Sequence, residues 1–331
     1  MRSAVHGSKD EKIVRRLLWL SCLTVLLAAC GDGKRPFLPK SGGLPYEVVV
    51  EEDIDSLVYY ALDTDVEGLP QREPSFDIFM VNDRNYPAYA QLARNIVRVK
   101  IDPRVERPQV RFAKNVDAQP QIRIHVTAPS RKSLREAMPV IGPQLRMLLV
   151  RAEQNVEINR LKKHHLGKAR KDLMHTFHAD MLIPEELTAS KKAASFRWYS
   201  NNAAQGMSNI CLYTYPAQNF SLQEWVAKRD SILRTHIPGE TNDMYMTTVK
   251  SNLRHDLQRE KNGDRWVIRG LWEMTNDMMG GPFVAHAVYD SARATVMVAE
   301  AFVYAPESKK RNRIRQLEAA LYTLNIQNNG R

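Results

Sequence analysis

The chain reads as an α+β protein in two halves, each a largely antiparallel sheet with helices packed on one face. Three observations lead there. Apolar or alternating runs recur at hairpin spacing near the end of the chain, at Arg265–Met274, Phe283–Tyr289 and Thr295–Tyr304, and such spacing favours antiparallel pairing. Stripes of helical period stand among those runs. The 331 residues also divide near Leu161–Lys171, a basic stretch poor in large apolar side chains, and a length of this order suits two domains.

The N-terminus is read first. Lys12, Arg15 and Arg16 precede an apolar run from Leu17 to Ala28, which ends in the lipobox Leu27-Ala28-Ala29-Cys30. Basic, apolar and small-residue zones in that order make a bacterial secretory signal. The run falls short of the roughly 20 apolar residues a membrane-spanning helix needs. Residues 1–29 are therefore expected to be cleaved, with Cys30 acylated on its sulfur and its new amino group. Several acyl chains anchor firmly, since each buried methylene contributes about 0.8 kcal/mol. Gly31 follows the cysteine, and Gly31–Arg35 holds no acidic run. The expected address is the periplasmic face of the outer membrane.

Loss of residues 1–29 removes five basic and two acidic side chains, which takes the formal charge from +11 to +8. A basic body beside a membrane suggests an envelope protein, peptidoglycan or lipid as partner, and the compartment argues against nucleic acid. Of the three cysteines, Cys22 leaves with the signal and Cys30 carries lipid, so Cys211 stands alone. It cannot form an intramolecular disulfide, and within Ile210–Tyr215 it reads as a small core residue. The sequence holds no Gly-rich phosphate loop, serine elbow or HExxH. No cofactor is expected.

Residues 30–45 read as a flexible tether. The first half, 46–160, opens with a strand at Tyr46–Val50 and a helix at Asp53–Ala61, whose Ile54, Leu57, Val58 and Ala61 share a stripe. Gly68–Pro74 breaks the pattern, and strands follow at Ser75–Val81, Asn95–Ile101 and Gln121–Thr127. Pro143 suits a first helical position, with Leu145, Leu148, Leu149, Ala152 and Val156 as the stripe behind it. Residues 161–172 form the basic connector.

The second half, 173–326, begins with strands at Thr176–Ile183, Ser195–Tyr199 and Ile210–Tyr215. Ser221-Leu-Gln-Glu224 is a capping box that starts a helix ending before Pro238-Gly239. Strands return at Tyr245–Val249 and in the three runs already named, the last two joined by a turn at Asp290–Arg293. A closing helix carries Ile314, Leu317, Leu321 and Leu324. The halves end alike, with Val126-Thr-Ala-Pro129 and Val303-Tyr-Ala-Pro306 each preceding a helix. An internal duplication would explain this; chance similarity at four residues is the alternative.

Several segments resemble an uncharacterised family of Bacteroidetes lipoproteins known as a domain of unknown function. They are Gly68–Phe76, Arg94–Val97, Gly270–Met274, Gly280–Phe283, Ala301–Pro306 and Arg315–Tyr322. The resemblance implies an envelope lipoprotein and carries over no catalytic residues. With its final hairpin and closing helix, the second half also looks like a PsbP or Mog1 type of domain, which implies partner binding.

Two groups of residues are candidates for function. Glu300 lies between Val298 and Phe302, and His286 between Val284 and Val288. Paired on one face of the hairpin, they would line a pocket with Trp272, Glu273 and a flexible Gly280-Gly281 loop. Such a pocket suits a glycan or peptide ligand, or general acid–base hydrolysis; a solvent-facing polar pair is the plainer reading, and Arg269 near Glu273 supports it. Lys309, Lys310, Arg311 and Arg313, with Arg315, open the closing helix, where cations oppose the macrodipole. They read as a group facing an anion such as a lipid headgroup, or as a solvated face. His164, His165, His175 and His178 cluster in sequence but are expected to bind no metal, since a strand at Thr176–Ile183 would turn the last two apart.

Overall fold

A five-stranded sheet in the order β2-β1-β3-β5-β4 carries the first half. Its strands are β1 (Glu47–Glu51), β2 (Asp77–Val81), β3 (Asn95–Ile101), β4 (Gln109–Lys114) and β5 (Ile122–Ala128). The computed structural model describes residues 37–82, 87–260 and 263–327, and from Lys40 onward the chain forms one unit. The leader and Cys30 lie outside the described residues. β1 runs parallel to β2 and β3, β3 runs parallel to β5, and the edge pair β4–β5 is antiparallel. The expected antiparallel pairing is therefore corrected for this half. Parallel neighbours need a crossover of about a dozen residues or more, and the long link from β1 to β2 supplies one, including α1 (Leu57–Leu62).

As expected, helices cover one face of this sheet. Val58 and Leu62 of α1, with Leu134, Ile141, Leu145 and Leu149 of α2 (Arg131–Leu161), pack over Val48, Val50, Val97, Val99, Ile124 and Val126. The helix α2 starts well before Pro143. Ser130 caps it, its Oγ accepting from Ser133 N at 3.1 Å, and the helix runs through both Pro139 and Pro143. An interior proline costs about 3 kcal/mol, which burial of the apolar stripe offsets. The end of the expected tether is docked: Lys40 bridges Gln119, and Gly42 bridges Ala93.

The second half is an eight-stranded antiparallel sheet in the order β10-β12-β13-β14-β9-β8-β7, with β11 on β12. The strands are β7 (Ala189–Ala193), β8 (Phe196–Ser200), β9 (Met207–Pro216), β10 (Met246–Thr248), β11 (Arg254–Gln258), β12 (Arg265–Met274), β13 (Gly280–Asp290) and β14 (Thr295–Tyr304). Here helices cover both faces, which corrects the one-face expectation. α3 (Gly167–Phe177) and α5 (Arg311–Leu321) bury Leu173, Ile314 and Leu317 against Val267, Val284 and Ala299. α4 (Leu222–His236) buries Trp225 and Leu233 against Ile268, Ala285 and Val298 on the opposite face. Cys211 lies in that second layer, fully buried. The two sheets differ in strand order and pairing, so the similar endings at Pro129 and Pro306 do not reflect a shared topology.

The basic connector is largely helical. Leu161 ends α2, and α3 continues to Phe177 because Ala169, Leu173 and Phe177 recur on one buried stripe. His178 closes it with φ 51°. The strand expected at Thr176–Ile183 shrinks to β6 (Ala179–Asp180), which pairs with β15 (Asn325–Ile326). α2 of the first half packs against α5 of the second, and the segment 64–76 crosses from one half to the other.

Candidate functional site

The register of the last hairpin decides the Glu300–His286 pair. Ala285 stands opposite Glu300, and Ala299 opposite His286. Directly opposed side chains share a face, so Glu300 and His286 point to opposite faces of the sheet. The expected shared pocket is corrected on this ground. Both residues are fully buried, which also sets aside the solvent-facing pair.

On the α4 face Glu300 meets Arg229. The guanidinium donates from Nη2 to Oε1 at 2.6 Å and from Nε to both carboxylate oxygens at 3.0 Å, while Tyr213 donates its hydroxyl at 3.2 Å. Arg229 also donates to Thr248 Oγ1 at 2.7 Å and lies 4.2 Å over the Phe283 ring. Burial pushes the Glu300 carboxyl up, against the pull of Arg229. The hydrogen-bond partners of Glu300 among the described residues, Arg229 and Tyr213, are themselves fully buried, so the carboxylate is closed off from a substrate.

On the α5 face His286 meets Arg265 and Glu318. Arg265 Nη1 lies 3.3 Å from Nδ1; a guanidinium can only donate, so the imidazole proton sits on Nε2. That nitrogen is 3.9 Å from Glu318 Oε1 and has no hydrogen-bond partner among the described residues. Glu318 bonds Arg269 directly, so the expected Arg269–Glu273 proximity is replaced by a bond to α5. Burial works to raise the Glu318 carboxyl, but Arg269, His286 and Arg315 outweigh it and hold the group down at about 2. Trp272 is buried on the α4 face, while its neighbour Glu273 is exposed. Gly280 and Gly281 open β13 in register with Glu273 and Trp272, so they form strand and not a loop.

The basic group before α5 is built into the junction of the halves. Glu73 Oε1 accepts from Lys310 N at 2.7 Å and Oε2 from Arg311 N at 3.0 Å. A carboxylate there satisfies free N–H groups and complements the helix dipole. Lys310 Nζ donates to Gln71 at 3.2 Å, and Arg311 donates to Asp77 at 2.5 Å and to Pro74 O at 2.7 Å. Arg313 reaches Gly206 O at 3.3 Å. The anionic groups that face Lys310 and Arg311 thus come from the protein's own segment 71–77, while Arg313 turns to a backbone carbonyl outside it; Lys309 is exposed beside them. Among the histidines, His165 Nδ1 lies 3.0 Å from Leu161 O and His164 3.3 Å from Glu185. No metal-binding group occurs among the described residues.

Sequence reasoning missed a cleft of about 470 Å³ that opens where the halves meet. Segment 64–76 forms one wall, held as a loop by Val66 N to Glu73 O at 2.9 Å and Ser75 N to Thr64 O at 2.6 Å. Gly68, at φ +77°, lets this wall lie against the backbone of Gly270. α2 contributes Arg146, Met147 and Val150; β12 and β13 contribute Arg269 and Pro282–Val284; α5 contributes Ile314, Arg315 and Glu318. Arg315 is fixed by donating to Ser75 O at 2.8 Å and by stacking 4.4 Å over the Tyr46 ring. Apolar walls with a few fixed polar groups at a domain junction are the usual build of a ligand site.

Two halves and a junction cleft define a two-part α+β protein, and the comparisons follow the same division. Residues 167–323 match the family described as "Domain of unknown function (DUF4837)", and residues 41–162 match "Domain of unknown function (DUF8532)". A solved structure, the Ran-binding protein Mog1p of Saccharomyces cerevisiae, aligns at 10% identity and TM-score 0.31, covering 49% of this chain and 93% of that one. No curated protein matches the sequence. No helix among the described residues is long and apolar enough to cross a membrane.

Proposed function

We propose that this chain is an envelope lipoprotein of the Bacteroidetes type, anchored through acylated Cys30 at the periplasmic face of the outer membrane. Its body is a non-enzymatic binding module that takes its ligand at the junction of the two halves. The lipobox and the charge order before it support the anchor. The cleft of about 470 Å³ carries the binding reading. Relative to the surface expected from sequence, the site moves from the last hairpin to this junction. The alternative, an envelope hydrolase, loses its acid–base pair, because Glu300 and His286 are buried on opposite faces.

Two measurements test this. Palmitate labelling of cells should mark the wild-type chain and leave Cys30→Ala unlabelled; equal labelling would remove the anchor. The full lipoprotein, extracted in mild detergent, should release a bound molecule detectable by mass spectrometry. Met147→Trp, which fills the cleft from α2, should release none. An empty wild-type protein, or an undiminished ligand in Met147→Trp, would overturn binding at this junction.

A further inference from the structure

Resting on the cleft reading above, we infer that the ligand is an anionic amphiphile, its headgroup held by Arg146 and Arg315 and its single aliphatic chain laid on Leu69, Met147, Val150 and Ile314. The charge argument comes from which cations already have partners. Arg269 binds Glu318, and Arg311 binds Asp77. Arg315 and Arg146 have no carboxylate within 4.0 Å among the described residues, although both line the cleft. Each is fixed by a backbone carbonyl, Arg315 by Ser75 O at 2.8 Å and Arg146 by Ala61 O at 2.5 Å. A neutral acceptor orients a guanidinium without neutralising it. Burial pushes the Arg315 guanidinium down, and the opposing field of Glu318, which is itself bonded to Arg269, does not offset it.

The carboxylates on the same walls do not fill that role. Asp65 is held by Arg72 at 2.6 Å, Glu318 is held by Arg269, and Glu67 lies exposed on segment 64–76. Two oriented guanidiniums therefore face the cleft with fork donors still free, a geometry that suits carboxylate or phosphate. The aliphatic part follows from the remaining wall. Leu69, Val150 and Ile314 line the cleft, and Met147 is 44% exposed there, an adaptable side chain suited to an alkyl chain.

The test is isothermal titration of the mature lipoprotein in phosphatidylcholine nanodiscs, with empty nanodiscs as the blank. The probes are octyl phosphate, octanoate and octyltrimethylammonium. Both anions should bind saturably and the cation should not; the tighter anion separates a lipid phosphate from a fatty acid as the source. Arg146→Gln and Arg315→Gln should each weaken anion binding at least tenfold. Arg146→Gln is the decisive variant, since Arg315 also stacks on Tyr46, and a thermal melt confirms that each variant is folded. Binding of the cation that Met147→Trp abolishes would overturn the anionic class and leave the cleft as a binding site. Anion binding unchanged in both arginine variants would also overturn the class. No binding of any probe, with an empty protein in the extraction experiment, would remove the cleft reading as well.

Discussion

Glu73 sits on the amino end of α5, where its Oε2 accepts from the backbone N–H of Arg311 at 3.0 Å. The contact spans 238 residues of sequence and is buried. It joins the halves through a helix end that has no capping side chain of its own at Lys310. Residues 71–77 add side-chain bonds to Lys310 and Arg311, so one short segment both walls the cleft and holds α5.

Glu73→Ala should therefore loosen the junction before it unfolds either core. Loss of a helix cap and of a carboxylate near the dipole costs about 1–2 kcal/mol. Hydrogen exchange should rise first in residues 64–76 and 310–315, with the central strands β13 and β14 unchanged. Uniform acceleration across both halves, or none at the junction, would contradict this.

The Arg229–Glu300 pair predicts a non-additive cycle. Arg229→Met leaves a carboxylate in a layer where Glu300 is fully buried, and breaking such a pair costs about 3–5 kcal/mol. Glu300→Leu alone leaves the buried guanidinium with Asp230, 3.4 Å from Nη1, as its remaining carboxylate, and should also destabilise. The double variant should recover most of the loss, measured as free energies of urea unfolding. Additive single losses would show that the two groups act independently.

His286 and Glu318 set two acid windows. Burial depresses the His286 imidazole from its ordinary 6.5, so the folded protein binds fewer protons there than the unfolded chain. Stability from this group is full above 6.5 and is lost as pH falls below it toward the lower folded value. Glu318 is held at about 2 against an ordinary 4.5, so its contribution is present above 4.5 and lost between 4.5 and about 2. The second window amounts to on the order of 3 kcal/mol. Urea midpoints followed from pH 8 to pH 3 should fall in both windows, and His286→Gln should shrink the first alone, leaving the part that the depressed His125 and His236 contribute. A profile flat from pH 7 to pH 5 in the wild type would contradict the His286 assignment.

The strands read most accurately from sequence were Asn95–Ile101, Arg265–Met274 and Thr295–Tyr304, whose bounds match β3, β12 and β14. Their apolar positions state their own burial. The capping Ser221 was equally local, its Oγ accepting from Glu224 N at 3.4 Å. Parallel pairing in the first sheet was not legible, because a strand does not encode the direction of its neighbour. β4 was missed as an exposed edge strand with Arg111 and Lys114 among its side chains. Arg229 left a usable signal: it interrupts the stripe of Trp225, Val226 and Leu233, as Glu300 interrupts an apolar strand. Two opposite charges at core positions predict each other. The cleft left none, since Leu69, Met147, Arg269 and Arg315 come from separate elements.

Gly281 offers the sharpest steric test. Read from sequence as part of a flexible loop, it pairs with Trp272 inside the sheet. The Trp272 indole donates to Val303 O at 3.3 Å, and a Cβ on Gly281 would stand 2.0 Å from that oxygen and 3.2 Å from Nε1. Backbone has to move to admit even a methyl group, and overpacking of this kind costs about 1–3 kcal/mol or more. Gly42 is the control, since a Cβ there meets nothing within 4 Å. Gly281→Ala should lower the melting temperature by several degrees and alter the near-ultraviolet tryptophan signal, while Gly42→Ala should leave both within error. A flexible loop at Gly281 would accept alanine as readily as Gly42 does, so equal melting temperatures for the two variants would restore the loop and remove the strand.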